Sequence, residues 1–302
     1  YKFFKSLRKN YKKYDKFKIF INANHNKKGS LRYGELLINN SNSQEILIST
    51  YICHPSMANN ELSGPIVSMA LIEYFQNVAK KFNKKIRFLF IPETIGSIIF
   101  LSKNLNYLKK NVIGGYNLTC IGDERQHSCL LSKKQNSASD ESLIESYRKH
   151  NIKNYKIYSF LRRGSDERQY NSPGIDLPIT SIFRSKYVEY PEYHTSLDNF
   201  RLVTKKGLTG GYNVAKTAII LLDKKIIPKF KILCEPQLGK RNLYPKISKK
   251  RYYYSHLSQR ILDFLQYADG KNSLNKICEL ININMNYGKK LFRLLVKNKI
   301  LE

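Results

Sequence analysis

The 302-residue chain reads as an α/β protein: a mostly parallel sheet covered by helices on both faces, with a small helical unit at the C-terminal end. Three observations predict this. Apolar stretches change repeatedly from a strand period to a helical one, the pattern of a mostly parallel sheet with crossover helices. Four polar residues, His54, Glu93, Asp123 and His194, each follow an expected strand, where open α/β sheets place their ligands. Finally, a Pro- and Lys-rich stretch near residues 229–250 precedes three short helical segments.

Residues 31–38 alternate around Gly34 and predict a strand. The β-branched run 45–51 (EILISTY) predicts a second, buried one. Ile66, Val67, Ala70, Leu71, Tyr74, Phe75 and Val78 recur at helical spacing, predicting an amphipathic helix over 64–82. The run 86–91 (IRFLFI) is a buried strand, ended by Pro92-Glu93-Thr94, and a helix is expected over 97–105. A strand over 111–121 turns at Gly122-Asp123. A helix over 142–150, strands over 155–160 and 178–184, and a long helix over 204–222 complete the sheet domain. Beyond the linker, helices are expected over 257–266, 274–281 and 286–298, with Ser273 as an N-cap of the second. Three short helices with tight turns resemble a helix-turn-helix core.

A hydrophobic content of 42% supports a packed core and excludes a disordered chain. The formal charge of +30 attracts polyanions, which makes nucleic acid a candidate partner. The basic residues are spread along the whole chain beside many Asn, Ile and Tyr, so compositional bias is the plainer reading. Five cysteines without a CxxC pair argue against a disulfide scaffold or zinc ribbon and point to a reducing, cytoplasmic setting. No apolar run approaches the roughly 20 residues of a membrane span.

Four constellations carry chemistry. In His54-Pro-Ser-Met-Ala-Asn-Asn60-Glu61 an imidazole precedes a carboxylate near a helix start, a pair that can hold a divalent metal. A hydrogen-bonded loop histidine beside a helix-end carboxylate would read the same way. Glu93 follows an apolar strand, where partial burial would suit a general base. His194, within YPEYHTSLD, is a candidate ligand oriented by Glu192 or Asp198. In GSDERQY, Asp166 and Arg168 could contact substrate, Arg168 by pairing a carboxylate.

Together, the stretches STYICHPSMANNELSG, FLFIPETIGS, NLTCIGDERQHS, GSDERQYNSPG and EYPEYHTSLDN, with CEPQLGKRNLYP as linker, resemble the zinc aminopeptidase superfamily. The similarity is to the branch associated with bacterial polysaccharide biosynthesis, which ends in a winged helix, and runs from about Tyr33 to Glu302. The resemblance implies an amide hydrolase in which His54 and His194 bind zinc and Glu93 is the base. It also aligns the metal-bridging Asp of the superfamily with Asn60, a ligand Glu with Thr94 and a ligand Asp with Thr119. One zinc ion is therefore expected, with Glu61 and Asp123 as replacement oxygens. Asn60, Asp166, Arg168 and Tyr193 are the expected substrate contacts.

The expected domains are a basic segment over 1–35, the remnant of an inserted lid, an aminopeptidase-like domain over 36–228, a linker over 229–250, and a winged-helix-like domain over 251–302. The substrate class is a small peptide or an amino sugar, and self-association is left open. Two alternatives stand beside hydrolysis. One is an inactive, metal-free binding protein. The other is a DNA-binding protein presenting Lys289, Lys290 and Arg293 to phosphates.

Overall fold

A computed structural model of the chain describes residues 2–11, 16, 18–24, 26–39, 44–244 and 257–302. The expected start of the C-terminal unit at Arg251 and the end of the expected linker, 245–250, lie outside the described residues.

Seven strands form one sheet among the described residues: β1 (Gly34–Ile38), β2 (Glu45–Tyr51), β3 (Lys85–Ile91), β4 (Val112–Leu118), β5 (His127–Leu130), β6 (Tyr155–Tyr158) and β7 (Ile179–Phe183). Their order is β1-β3-β2-β4-β7-β5-β6. The pairs β3-β2, β2-β4, β4-β7 and β5-β6 are parallel, while β1-β3 and β7-β5 are antiparallel. The sheet is thus mostly parallel, as expected, with an antiparallel edge. The four-residue β5 had no sequence signal, being too short to show a period.

The helices are α1 (Lys2–Asn10), α2 (Ser63–Asn77), α3 (Ile95–Asn111), α4 (Ala138–Lys149), α5 (Glu167–Tyr170), α6 (Lys205–Lys224), α7 (Leu257–Tyr267), α8 (Leu274–Leu280) and α9 (Met285–Lys297). The helix expected from 142 starts earlier, because Ser137 and Asp140 form a capping box that satisfies the first-turn N–H groups. α1 was not expected: its segment is dominated by basic residues, which mask any apolar period.

Strand alternation divides the core. Ile46, Ile48, Ile86 and Phe88 face the layer of α2, α4 and α6, where Leu71, Phe75, Leu143 and Ala218 complete one cluster. Leu47, Leu89 and Ile91 face the opposite way, onto Phe100, Leu101 and Leu108 of α3 and Tyr170 of α5. Both faces are covered, which is why these strands read as nearly continuous apolar runs. Gly115 in β4 faces the Leu47 carbonyl so closely that a Cβ would lie 1.9 Å from that oxygen, so this pairing excludes any side chain.

The C-terminal unit has its own core, built on Ile261, Phe264, Ile277, Leu291 and Leu295. Part of the stretch expected to be linker belongs to it: Leu238 and Leu243 are buried there, and Phe230 packs against it. The Phe230 N–H donates to the Ala268 carbonyl and the Lys231 N–H to the Ile300 carbonyl, so residues 229–231 lie between the turn after α7 and the chain end. Pro and Lys density hid this, because among the described residues the backbone pairing there is short, running over 229–231.

Phe75 is fully buried in the larger cluster, whereas Phe200 is 78% exposed. Phe75→Ala is expected to cost about 3–5 kcal/mol in urea unfolding, and Phe200→Ala less than about 0.5 kcal/mol. Equal losses would show that the sheet-to-helix layer is not the stabilising core.

Candidate metal centre

The site lies beyond the carboxyl ends of β2, β3 and β4. β2 is buried to Tyr51, and the Ile52 N–H continues its pairing to the Ile91 carbonyl before the chain leaves the sheet at Cys53 and His54. Residues Ala58–Leu62 then form one turn of π-helix ahead of α2, with the Leu62 N–H reaching the Met57 carbonyl at 3.1 Å. The wider turn directs three consecutive residues, Asn59, Asn60 and Glu61, into the protein. Its free N-terminal N–H groups are held by Asp198, which accepts from Asn59 N at 2.6 Å, Asn60 N at 3.0 Å and the Tyr190 hydroxyl at 2.9 Å.

Glu61 turns back on the strand-end loop. One carboxylate oxygen accepts from the Cys53 N–H and the other from the Cys53 thiol at 3.6 Å. Cys53, His54 and Glu61 offer donor atoms that all lie within 4.8 Å of one another. Burial raises the Glu61 carboxyl, opposed by backbone N–H donors of Cys53 and His54. The imidazole of His194 meets that of His54 edge to face, with ring centroids 5.0 Å apart. His194 is in turn stacked on Tyr193 at 3.9 Å. Its own backbone has φ +55°, so the loop is bent sharply to present it.

Glu93 borders the same group. Burial pushes the Cys53 thiol up to about 11, opposed by a hydrogen bond with the Glu93 backbone and reinforced by the charges of Glu61 and Glu93. One Glu93 carboxylate oxygen accepts from the Ser165 hydroxyl at 2.6 Å. The next residue, Thr94, has φ +63° and ψ −67°, and the Ile95 N–H bonds back to the Glu93 carbonyl at 2.7 Å. This is a γ-turn of the rare, strained kind, on a β-branched residue.

GSDERQY holds that turn. Asp166 accepts from the Thr94 N–H at 2.7 Å and the Ser97 hydroxyl at 2.8 Å, and Arg168 donates to the Thr94 hydroxyl at 2.7 Å. Asp166 and Arg168, expected at substrate, thus bind the backbone and side chain of the protein itself. Glu167 beside them is buried and accepts from the N–H groups of Gly164 and Ser165, fixing the loop.

Of the sequence-derived candidates, the structure brings His54, Glu61, His194 and Tyr193 together, with Glu93 alongside. Asp123 is not among them. It is fully buried, and its carboxylate accepts from Asn59 Nδ2, Arg125 N, and the N–H and hydroxyl of Ser185. Asn60 is also enclosed, accepting from the Tyr51 hydroxyl at 3.0 Å. Glu192 forms a two-bond pair with Arg125 and Asp198 caps the π-turn, so neither orients His194. Cys53 was missed as a donor, although its place beside His54 at a strand end was the available signal. A depression of about 530 Å³ borders Glu192, Leu197 and Asp123, but not His54 or Glu93.

Residues 18–225 match a domain family of unknown function (DUF4910), and residues 225–302 match a winged helix-turn-helix family. The chain is 40% identical over 254 residues to a Clostridium acetobutylicum protein named, provisionally, for polysaccharide biosynthesis and an aminopeptidase-like domain. That match covers 82% of this chain and 56% of the relative, so the chain spans little more than half the relative's length. A crystal structure of a provisionally assigned peptidase from the same organism superposes with a TM-score of 0.59 at 34% identity, covering 89% of this chain and 60% of that one. The zinc aminopeptidase of Bacillus subtilis superposes at 0.55 with 18% identity, covering 64% and 50%, a likeness of fold alone.

Asp166→Ala is expected to cost about 1–3 kcal/mol in denaturant unfolding, since it leaves the Thr94 N–H and Ser97 hydroxyl without their acceptor. Burial pushes the Asp166 carboxyl up to about 7. Asp166→Asn keeps a neutral acceptor and should fall within about 1 kcal/mol of the parent near neutral pH. Similar large losses in both variants would show that charge, not hydrogen bonding, holds the turn.

The family match over the sheet domain, the aminopeptidase-type fold and the matched C-terminal module together make this chain a member of the DUF4910 family, an aminopeptidase-like domain joined to a winged helix.

Proposed function

We propose that the chain is a hydrolase of the aminopeptidase type with a single zinc site, in which His54, His194 and Glu61 hold the ion and Glu93 is the general base. The observations that carry this reading are the clustering of the His54 and Glu61 donor atoms on the strand-end loop and the edge-to-face contact of the His194 ring with His54. Two imidazoles and a carboxylate are a donor set that zinc takes in open hydrolytic sites. A second ion does not fit. Asn60, Thr94 and Thr119, which align with further ligands of the zinc aminopeptidases, are neutral. Their oxygens are already engaged with Tyr51, Arg168 and the Asn60 carbonyl.

Zinc, when bound, supplies Lewis acidity that polarises an amide carbonyl and acidifies water. Glu93 takes the proton of the attacking water on the carboxylate oxygen that Ser165 leaves free, and returns it to the departing amine. Ser165 and the Thr94 turn keep that carboxylate aimed into the crevice. Tyr193 backs the His194 ring and offers its edge to substrate. The substrate class is a peptide or an N-acyl amino sugar, the latter favoured by the name of the Clostridium relative.

Zinc titration of chelator-stripped protein should show one site per chain, lost in His54→Ala. Glu93→Gln should keep zinc while lowering amide hydrolysis by about 10²-fold or more. No zinc uptake would overturn the reading. Uptake without hydrolysis by the parent chain would favour a binding protein.

A second reading rests on α9. Asn286, Lys290, Arg293 and Lys297 form an exposed row along one side, while Gly288, Leu291 and Leu295 are buried on the other. The helix carries no acidic residue, and among the described residues none of these cations is ion-paired. Such a row suits a phosphate backbone. Duplex DNA binding should weaken with salt, and Lys290→Ala with Arg293→Ala should flatten the log–log salt slope by about 2. An absence of binding at low salt would remove this reading.

A further inference from the structure

We propose that the Cys53 sulfur is a fourth protein donor of the metal site, completing a Cys, His, Glu, His set. This rests on the single-zinc reading above. The superfamily resemblance assigns nothing to Cys53, and its role comes from geometry. The thiol sulfur lies 3.6 Å from the nearer Glu61 oxygen. In a tetrahedral zinc site with Zn–S near 2.3 Å and Zn–O near 2.0 Å, the sulfur and oxygen are about 3.5 Å apart. The pair therefore already spans one edge of such a tetrahedron. The donor atoms of Cys53, His54 and Glu61 all lie within 4.8 Å of one another, so the wider of these separations must close towards the roughly 3.3–3.6 Å edge of a tetrahedral site when an ion binds.

A second observation explains why a thiolate would be needed. The positions that align with further ligands of the zinc aminopeptidases carry Asn60, Thr94 and Thr119, and Asp123 is saturated by donors from Asn59, Arg125 and Ser185. Besides Glu61 and the base Glu93, the crevice therefore offers few charged donors, and Cys53 is the soft, ionisable donor on the loop that also carries His54. Cys53 is exposed, so its sulfur is open to an ion, unlike the buried Cys120, Cys129 and Cys278. On binding, the Cys53 S–H bond breaks, its proton passes to water and a sulfur–metal bond forms. Four protein donors would leave little room for a water in a four-coordinate site, so hydrolysis then requires expansion to five-coordination or release of one donor. That makes Cys53 a gate on activity as well as a ligand.

The test uses cobalt(II) in place of zinc in the whole chain, read by absorption. A thiolate bound to cobalt gives an intense near-ultraviolet charge-transfer band that imidazole and carboxylate do not. The parent chain should show this band at one equivalent of cobalt. Cys53→Ala and Cys53→Ser should each lose it while still taking up cobalt through His54, Glu61 and His194. Cys53→Ser keeps a donor to Glu61, so loss of the band there separates ligation from a merely structural hydrogen bond. Cys234→Ala, at an exposed cysteine in the stretch after α6, should keep the band. Zinc competition should show affinity falling in Cys53→Ala by more than the roughly 10–100-fold that loss of an outer partner costs. Cobalt taken up stoichiometrically by the parent, in a His54-dependent way and without the band, would overturn the Cys53 assignment and leave the zinc reading standing. No metal uptake at all would overturn both.

Discussion

The γ-turn at Thr94 is the constraint on which the arrangement of the crevice depends. β3 runs straight and buried to Ile91, and left to itself the chain would carry Glu93 onward over the rim of the sheet. Instead the backbone reverses within one residue, at a positive φ that a β-branched side chain resists. Asp166 and Arg168 grip that residue from both its N–H and its hydroxyl, and Ser165 takes the Glu93 carboxylate. The strain is held by a loop 72 positions away in the sequence. Sharp bends of the same sign at Cys120 and His194 put the other rims of the crevice in place.

The second theme is how a strongly basic protein keeps its buried acids. Asp123, Asp166, Asp198 and Glu167 are all nearly inaccessible, and none forms an ion pair with Lys or Arg among the described residues. Each is instead surrounded by neutral donors: backbone N–H groups, hydroxyls and an Asn amide. Such donors satisfy the buried carboxylate oxygens without placing a cation beside the crevice. At the opposite end of β2 the choice is different. There Glu45 is paired with Arg87 through two hydrogen bonds, where the job is to close the sheet rather than to shape a site.

The winged-helix unit is fastened to the sheet domain rather than tethered. The Leu274 N–H donates to the Ile226 carbonyl, Ser273 and Lys225 both reach Glu141 of α4, and Gln44 donates to the Ile227 carbonyl. These contacts fall where α6 ends and α8 begins, at the end of the sheet away from the crevice. The exposed face of α9 is left outward. A single chain thus offers a crevice at one end and a basic helix elsewhere, with a joint between them made of short polar contacts.

The α/β class, the mostly parallel character of the sheet and the long helices were all legible in the sequence, because apolar periodicity is a local property set by which face each residue must bury. The strand-end positions of His54 and Glu93 were legible for the same reason, whereas His194 lies well beyond the end of β7, in the loop before α6. Tertiary structure alone decided which of those strand-end groups meet. Asp123 follows β4 as plainly as Glu93 follows β3, yet Ser185 and Asn59 claim its carboxylate from distant parts of the chain. Asp166 and Arg168 looked like substrate contacts because polar density in a loop says nothing about direction. Cys53 was passed over because the worth of a sulfur as a donor depends on a glutamate eight positions on, brought back by a turn of π-helix. Sequence spacing records which residues lie along a strand or a helix face. Partnership across a crevice is set by loops whose shape follows from side-chain hydrogen bonds between distant segments, and no local pattern encodes those.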